Sequence, residues 1–338
     1  MSVWPTLERF IDEHGAAALV TLAEVQGSSP REAGARMVVR PDGGFTGTIG
    51  GGTLEWIALA EAQALLADRR GDAFRRLDKA LGPDLGQCCG GRVIVTLERF
   101  DARDRDMVET LADLERSGPL VTVATTEGGR LVRRPPVSAD DAPISGEAYR
   151  KLPDGRIVER FGSSPTPLYL FGAGHVGRAL ALALAPLPFT VTWIDPRPGA
   201  FPSHVPANVR CLAELEPARL LPQAPDGTLI AVMTHSHALD LDLVAGALKA
   251  GRFPYVGLIG SATKRARFVS AMRKIGIAQD AIDRLTCPIG LTAIHDKAPA
   301  AIAASIAAQL LIVRETAAAS AANDRIEVSS PMHGARHA

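Results

Sequence analysis

The sequence Phe171-Gly172-Ala173-Gly174-His175-Val176-Gly177 matches the pattern G-x-G-x-x-G and decides the fold of the second half of the chain. It lies between an apolar run, 168–171, and a run with helical periodicity, 176–185. In such turns the first glycine permits the tight bend, the second lets backbone approach a pyrophosphate, and the third allows close helix–strand packing. Asp195 ends the next predicted strand, where a carboxylate can bind a ribose hydroxyl. The turn therefore predicts a nucleotide-like ligand, NAD-like rather than one with a 2′-phosphate.

From residue 168 onward strands and helices alternate, which is typical of a parallel sheet covered by helices. We therefore predict an α/β chain with a Rossmann-like parallel sheet, helices on both faces, at residues 168–316. A smaller mixed α+β domain at 1–162 precedes it, and a Gly-, Ser- and Pro-rich linker occupies 163–167. Residues 317–338 lack periodicity and are predicted to form a disordered tail.

Composition excludes several classes of protein. The chain has 338 residues, and 37 Lys and Arg balance 37 Asp and Glu, so its formal net charge is zero. Because coating nucleic acid requires clustered positive charge, we expect no nucleic-acid partner. The charge-free stretch 179–194 is shorter than the ~20 residues needed to cross a bilayer, so we expect no membrane span. Charged residues within 8–13 argue against a signal peptide, so we expect a cytoplasmic protein with reduced cysteines.

Two candidate sites lie in the first half. The sequence Thr48-Ile49-Gly50-Gly51-Gly52-Thr53 is a second glycine-rich helix start, with Thr53 as the expected N-cap. Its backbone N–H groups suit an anion, although a purely structural turn gives the same pattern. Cys88 and Cys89 are flanked by glycines, so accessible thiolates there could hold a soft metal centre or carry sulfur. The alternative is an incidental pair of cysteines in a tight turn.

Two more candidates follow strands of the parallel sheet, at the edge where such sheets bind ligands. Ser261, Lys264 and Arg265 offer donors and positive charge to an anion, unless these cations form an ordinary solvated helix face. The sequence His235-Ser236-His237, with Asp240, has the alternation of a metal site. Because no second cluster of ligands accompanies it, we predict no bound metal. We assign these histidines to the ligand cleft or to capping the next helix.

Taken together, these segments resemble the xanthine dehydrogenase accessory factor family (XdhC/CoxI type). The resemblance covers about residues 15 to 315. The sequences that carry it are Gly27-Ser28-Ser29-Pro30-Arg31, Gly47-Thr48-Ile49-Gly50-Gly51-Gly52, Leu85-Gly86-Gln87-Cys88-Cys89-Gly90-Gly91, the turn at Gly172, Met233-Thr234-His235-Ser236-His237-Ala238-Leu239-Asp240 and Gly257-Leu258-Ile259-Gly260-Ser261.

The resemblance implies a cytoplasmic chaperone that binds molybdenum cofactor (molybdopterin) and protects it while a cysteine desulfurase supplies its sulfido ligand. The chaperone then inserts the cofactor into a xanthine-dehydrogenase-type molybdoenzyme, and is a maturation factor rather than an enzyme. A homodimer is expected as the commonest closed assembly. The alternative is an NAD(H)-dependent oxidoreductase that uses the Rossmann turn. The predicted cofactor-binding residues are Gly50, Gly51, Gly52, Thr53, Cys88, Cys89, Gly172, Gly174, His175, Gly177, Asp195, His235, His237, Ser261, Lys264 and Arg265, with Cys88 or Cys89 near the molybdenum.

Overall fold

A computed structural model divides the chain into two compact units, Met1–Ser164 and Pro165–Ala338. The structure describes residues 2–68, 71–82, 84, 90–127, 130–134, 148–162 and 165–328.

The first unit is built on two antiparallel sheets. Its described helices are α1 (Trp4–His14), α2 (Gly52–Ala67) and α3 (Arg105–Ser117). Its described strands are β1 (Ala16–Gln26), β2 (Arg36–Val39), β3 (Phe45–Gly47), β4 (Phe74–Ala80), β5 (Arg92–Asp101), β6 (Leu120–Glu127), β7 (Arg130–Arg134), β8 (Tyr149–Lys151) and β9 (Ile157–Phe161). Within these residues, one sheet has the order β3-β2-β1-β5-β4 and the other the order β7-β6-β9-β8. This is the mixed α+β architecture expected for the first half.

Strand β5 explains how the first unit is layered, because its side chains alternate between two faces of the sheet. Val95 and Leu97 pack with residues of α2 in one apolar cluster. Ile94 points the opposite way and packs with residues of the second sheet. Glu98, on that same face, bonds to Arg133 of β7. The five-stranded sheet is therefore covered by a helix on one face and by the second sheet on the other.

The second unit is a parallel sheet with helices on both faces. Its strands are β10 (Thr166–Phe171), β11 (Phe189–Asp195), β12 (Val209–Ala213), β13 (Leu229–Val232), β14 (Tyr255–Leu258) and β15 (Leu285–Thr286). Its helices are α4 (His175–Ala183), α5 (His237–Ala250), α6 (Ala262–Lys274), α7 (Gln279–Asp283) and α8 (Pro299–Val328). Over residues 165–328 the strand order is β12-β11-β10-β13-β14-β15, with parallel pairing throughout. This order is that of a Rossmann fold and confirms the predicted fold class.

The two faces of this sheet have separate cores. Leu168 and Leu170 of β10 lie in a cluster with residues of α4 and α8. Tyr169 and Phe171 alternate with them and pack against residues of α5, α6 and α7. Because both faces are covered, β10 is apolar on both sides, which is the pattern of a central parallel strand.

Helix α8 is longer than the sequence predicted, since it continues to Val328 instead of ending near residue 316. Apolar periodicity is lost beyond that point, but the alanine-rich run 317–322 has high intrinsic helix propensity. Residues 299–317 are also long and apolar enough to cross a membrane, with mean hydropathy 1.4 and 28% of the window buried. Ile306 and Leu310 pack in the core beneath β10, so contact with the sheet accounts for part of this apolar character.

Candidate functional site

The glycine turn lies at the carboxyl end of β10, where the strand order of the second unit reverses. Strand β10 pairs with β11 on one side and with β13 on the other. The backbone N–H of Met233 donates to the carbonyl oxygen of Phe171 at 2.8 Å, which holds the end of β13 against the turn. Doubly wound sheets bind ligands in the crevice at this point.

The three glycines of the turn have different surroundings. A Cβ on Gly172, whose φ is +111°, would lie 2.3 Å from the carbonyl oxygen of Met233. A Cβ on Gly177 would lie 2.1 Å from the carbonyl oxygen of Gly172. A Cβ on Gly174 would meet no atom within 4 Å. The protein's own packing therefore requires two of the glycines, whereas Gly174 borders open space that a ligand can enter.

Asp195 lies at the end of β11, as the sequence predicts, but its carboxylate already accepts hydrogen bonds from other groups of the protein. It accepts hydrogen bonds from the backbone N–H of Ala173 at 2.8 Å and of Arg197 at 3.0 Å. The guanidinium of Arg197 also donates to both carboxylate oxygens, each at 2.9 Å. Burial raises the pKa of Asp195, but these donors outweigh it and lower the pKa to about 2. A ribose hydroxyl would have to displace Arg197 to reach this carboxylate.

A cavity of about 370 Å³ lies beside the turn. His175, the exposed first residue of α4, lines it together with Arg178 and Arg197. Arg178 donates to the carbonyl oxygen of Ala200 at 2.7 Å, which holds its guanidinium at the cavity wall. Arg197 is already paired with Asp195, so the guanidinium of Arg178 and the helix N-terminus are what favour an anionic ligand at this place.

The segment with His235 and His237 begins α5 and has no metal-binding geometry. Both histidines are exposed, while Asp240 is buried and accepts hydrogen bonds from the backbone N–H and the hydroxyl of Thr234, at 3.0 and 2.7 Å. Ser236 is the N-cap, accepting from the backbone N–H of Leu239 at 3.4 Å. Among the described residues, no group of three or more His, Cys, Asp or Glu side chains could hold a metal ion.

Lys264 does not present a free ammonium group to an anion, contrary to our expectation. Its Nζ donates to Asp240 at 2.6 Å and to the carbonyl oxygen of Ile259 at 2.9 Å. Ser261 caps α6 by accepting from the backbone N–H of Lys264 at 3.2 Å, and Arg265 is half-buried on the same helix. Because the ion pair joins α5 to α6, the charge of Lys264 is neutralised inside the fold.

The glycine-rich start of α2 is likewise occupied by a side chain of the protein itself. The carboxylate of Glu55 accepts hydrogen bonds from the backbone N–H groups of Ile49 at 3.0 Å and Gly51 at 3.2 Å, and from the hydroxyl of Thr48 at 2.5 Å. Helix α2 begins at Gly52 with Gly51 as its N-cap, so the prediction that Thr53 caps it was wrong. Gly50 and Gly51 both have positive φ, which turns the backbone around this carboxylate.

Cys88 and Cys89 lie outside the described residues. The described flanks belong to strands β4 and β5, which pair with Ala80 opposite Arg92. Directly before β5, the backbone N–H of Gly91 donates to the carbonyl oxygen of Ser28 at 3.1 Å. A Cβ on Gly91 would lie 2.3 Å from that oxygen, so only glycine fits there.

The sequence analysis did not predict the roles of two residues that shape the candidate sites. Arg197 covers Asp195, and Glu55 fills the turn before α2. Each left a local signal. Arg197 lies two residues after Asp195 in a turn, and Glu55 is an acidic residue in the first turn of a helix, where the dipole favours it.

Comparison with known proteins gives two matches to one family. The model of the XdhC and CoxI family matches residues 10–78, and that of the XdhC Rossmann domain matches residues 168–310. The chain is 26% identical over 335 residues to a probable xanthine dehydrogenase subunit of Bacillus subtilis (strain 168), covering 92% of this chain and 97% of that protein. It is 24% identical over 275 residues to the molybdenum cofactor insertion chaperone PaoD of Escherichia coli (strain K12), covering 81% of this chain and 76% of PaoD.

The fold is also shared with a solved protein. The crystal structure of a xanthine dehydrogenase from Bacillus halodurans matches with a TM-score of 0.74 at 22% identity, over 94% of this chain and 96% of that one. Both family matches fall on segments that carry the resemblance seen in the sequence, one in each unit. The chain therefore belongs to the XdhC and CoxI family.

Proposed function

We propose that this protein is a chaperone that binds molybdenum cofactor and inserts it into a xanthine-dehydrogenase-type molybdoenzyme. The observation that carries the proposal is the alignment with the insertion chaperone PaoD over 81% of this chain, which spans both units. The cofactor is the cargo of such a protein, so the chain needs a site that holds an anionic pterin and releases it.

The geometry of the second unit supports an anionic cargo. The cofactor carries a phosphate, and the cavity beside Gly174 combines a helix N-terminus with His175 and Arg178. We assign an anionic ligand to this cavity. Arg197 and Lys264 are left out of this assignment because they are paired with Asp195 and Asp240.

The remaining roles come from the family resemblance. We propose that Cys88 or Cys89 lies near the molybdenum, that the bound cofactor is protected while its sulfido ligand is installed, and that a cysteine desulfurase is the partner in that step. We also propose that the protein is cytoplasmic and forms a homodimer. Thiolates bind soft metal centres, so a cysteine pair is chemically suited to this cargo.

The test is retention of the cargo by cysteine variants. Wild-type protein incubated with molybdenum cofactor is expected to co-elute with it and to reconstitute an apo-enzyme of the xanthine dehydrogenase type. The double variant Cys88→Ala, Cys89→Ala should retain the cofactor at least about tenfold less well, because a metal-ligating thiolate is lost. Molybdenum content after gel filtration measures retention.

Cys211→Ala is the matched control, since Cys211 is a partly buried thiol on β12 of the other unit. It should retain the cofactor as wild type does. If the double variant also retains and delivers the cofactor normally, the thiols have no part in binding. If wild type itself neither retains nor delivers the cofactor, the proposed function is wrong.

The alternative function, an NAD-dependent oxidoreductase, is disfavoured by the pairing of Asp195 with Arg197. We expect weak NADH binding by wild type and binding about tenfold tighter or more by Arg197→Ala, because a freed carboxylate can bond the ribose hydroxyls. Arg178→Ala removes a positive charge from the same cavity without freeing Asp195, and should not tighten binding. NADH fluorescence measures NADH binding by wild type and by both variants. Tight NADH binding by wild type with turnover of a carbonyl substrate would instead favour the oxidoreductase.

A further inference from the structure

Helix α2 of the first unit exposes a face that carries no charge. Both carboxylates of the helix bond within the fold, Glu55 to the turn before it and Glu61 to Arg75 at 2.8 Å. Because the side that packs on the sheet is apolar, α2 has the composition of a helix that is covered on both sides. Besides Gly52, the exposed residues, which we call the outer face of α2, are Thr53, Trp56, Ala60, Gln63, Ala64 and Ala67.

Helix α3 of the same unit shows the contrast with an ordinary solvated face. Charged side chains on the side away from the core are the usual pattern of a surface helix. The missing charge is therefore a property of α2 and is not shared by both helices. The exposed charged residues of α3 are Arg105, Asp106, Glu109, Asp113 and Arg116.

Trp56 projects from the outer face and is 73% exposed. The other two tryptophans of the chain, Trp4 and Trp193, are fully buried. An indole buries about 150–250 Å² when it is covered, and tryptophan is among the side chains that contribute most to the affinity of protein interfaces. The outer face therefore contains the anchor that a protein interface needs.

Residues 43–48 run beside α2. A Cβ on Gly43 would lie 2.6 Å from Nε2 of Gln63, and the hydroxyl of Thr48 donates to Glu55 at 2.5 Å. The segment therefore passes along α2 in the opposite direction, and its central residues lie beside the middle turns of the helix.

Phe45, in the middle of this segment, extends the apolar surface. Its partner on β2, Val39, packs in one cluster with residues of α2, and paired residues of antiparallel strands point to the same face of a sheet. Trp56 and Gln63 are about two helical turns apart, so both face the edge of the sheet where β3 lies. Because Phe45 is 45% exposed, the apolar surface continues from α2 onto this edge.

The outer face is complementary to itself. Trp56, Ala60 and Ala64 are four residues apart and form one row along α2, with a bulky residue at one end and small residues beyond it. If two such helices pack antiparallel about a twofold axis at Ala60, each indole meets the small residue at the far end of the other row. Closed dimers are built from self-complementary contacts of this kind. Because the face has no charge, two copies bring no like charges together.

We propose that the outer face of α2, together with Phe45, packs against the same face of a second copy of this chain, with Trp56 over Ala64 of the partner subunit. The inference rests on the homodimer proposed above and assigns it a surface. A helix of 16 residues is about 24 Å long and about 10 Å wide, so each copy contributes roughly 400 Å², half of a standard interface. The dimer is therefore weak and reversible.

Sedimentation velocity on the full-length protein tests this surface. Wild type is expected to dimerise with a Kd on the order of 10 μM, because the interface is small. Trp56 supplies the exposed fraction of the tryptophan fluorescence, so quenching by acrylamide should fall as the dimer forms. Dimerisation with no change in quenching would overturn the proposal.

Two charged variants and their combination test the register. Trp56→Glu and Ala64→Lys should each raise the Kd of the dimer about tenfold or more, because each places an unpaired charge in the contact. Both positions are exposed, so the fold of the single chain is not at risk. The double variant should dimerise about threefold more tightly than either single variant, or better, since each carboxylate then faces an ammonium group of the other copy. No recovery in the double variant would reject the antiparallel register.

Leu114→Glu is the matched control, since Leu114 is a large apolar residue, 40% exposed, on α3 of the same unit. Its Kd should equal that of wild type. A wild-type Kd in both single variants would reject the surface and leave the homodimer standing. A wild type that stays monomeric at about 200 μM would reject the surface and the homodimer together. If Trp56→Glu then also impaired cofactor delivery, the outer face would belong to the contact with the molybdoenzyme. Retention and delivery by wild type decide the chaperone function separately.

Discussion

Replacing Gly177 with alanine is expected to cost the Rossmann-like unit about 3 kcal/mol or more of unfolding free energy. The added Cβ would lie 2.1 Å from the carbonyl oxygen of Gly172 and 3.4 Å from Nε1 of Trp193. That indole donates to the same carbonyl oxygen at 3.0 Å. The clash is with backbone, so helix α4 would have to move away from β10. Urea denaturation, followed by hydrogen exchange in peptides from β10 and β11, measures the effect in this unit alone.

Gly174→Ala is the matched control because it adds the same methyl group within the same turn. Gly174 has an extended backbone with φ −78°, and its Cβ would meet no atom within 4 Å. Its cost in unfolding free energy should stay below about 0.5 kcal/mol. Binding of an anionic ligand should nevertheless weaken, since the methyl occupies the approach to the backbone. Equal stability of the Gly177→Ala and Gly174→Ala variants would contradict the packing of α4 described above.

Replacing Arg133 with methionine is expected to destabilise the first unit by about 3–5 kcal/mol, because it leaves two buried carboxylates without their main partner. Arg133 bonds both oxygens of Glu98, at 2.8 and 2.6 Å, and Glu159 at 2.6 Å. All three side chains are buried. Arg36 remains near Glu159, but at 3.5 Å. Urea denaturation with hydrogen exchange read in β5 and β9 measures the loss.

The pH dependence of this variant tests the same point. Burial raises the pKa of Glu98 above its ordinary value, whereas Arg133 and Arg36 outweigh burial and lower the pKa of Glu159. Without Arg133 both values rise, because each charged form loses its partner. The folded variant therefore takes up protons more readily than the unfolded chain, so its deficit relative to wild type should shrink as the pH falls from about 8 to about 5.

Two further variants separate buried charge from lost contacts. Adding Glu98→Gln to Arg133→Met removes one unpaired charge and should recover about 1 kcal/mol or more. Arg92→Met breaks the pair with Asp78 at the surface, where Arg92 is 59% exposed, and should cost less than about 1 kcal/mol. If Arg133→Met costs no more than Arg92→Met, the buried cluster contributes nothing specific to stability.

The parallel sheet could be predicted because its signals are local. The apolar run of β10 and the glycine turn are adjacent in the sequence, and each later strand or helix shows its own short pattern. The two roles assigned to Gly172 and Gly177 follow from the same short sequence, and the surroundings of both glycines agree with them.

The charged contacts could not be predicted because their partners are distant in sequence. Lys264 was assigned to an anion, but Asp240, 24 residues earlier, neutralises it once α5 and α6 pack together. Arg133 and Glu159 are charged residues on strands, a pattern that indicates a solvent-exposed face. The packing of one sheet on the other buries them instead.

Glu55 has a consequence for how the turn before α2 behaves toward other anions. The carboxylate is tethered four residues from the N–H of Gly51, so its effective concentration at that position far exceeds that of any free phosphate. A competing anion would have to displace an intramolecular ligand rather than solvent. The turn therefore keeps its shape when no other anion is bound, so the start of α2 does not depend on a ligand for its conformation.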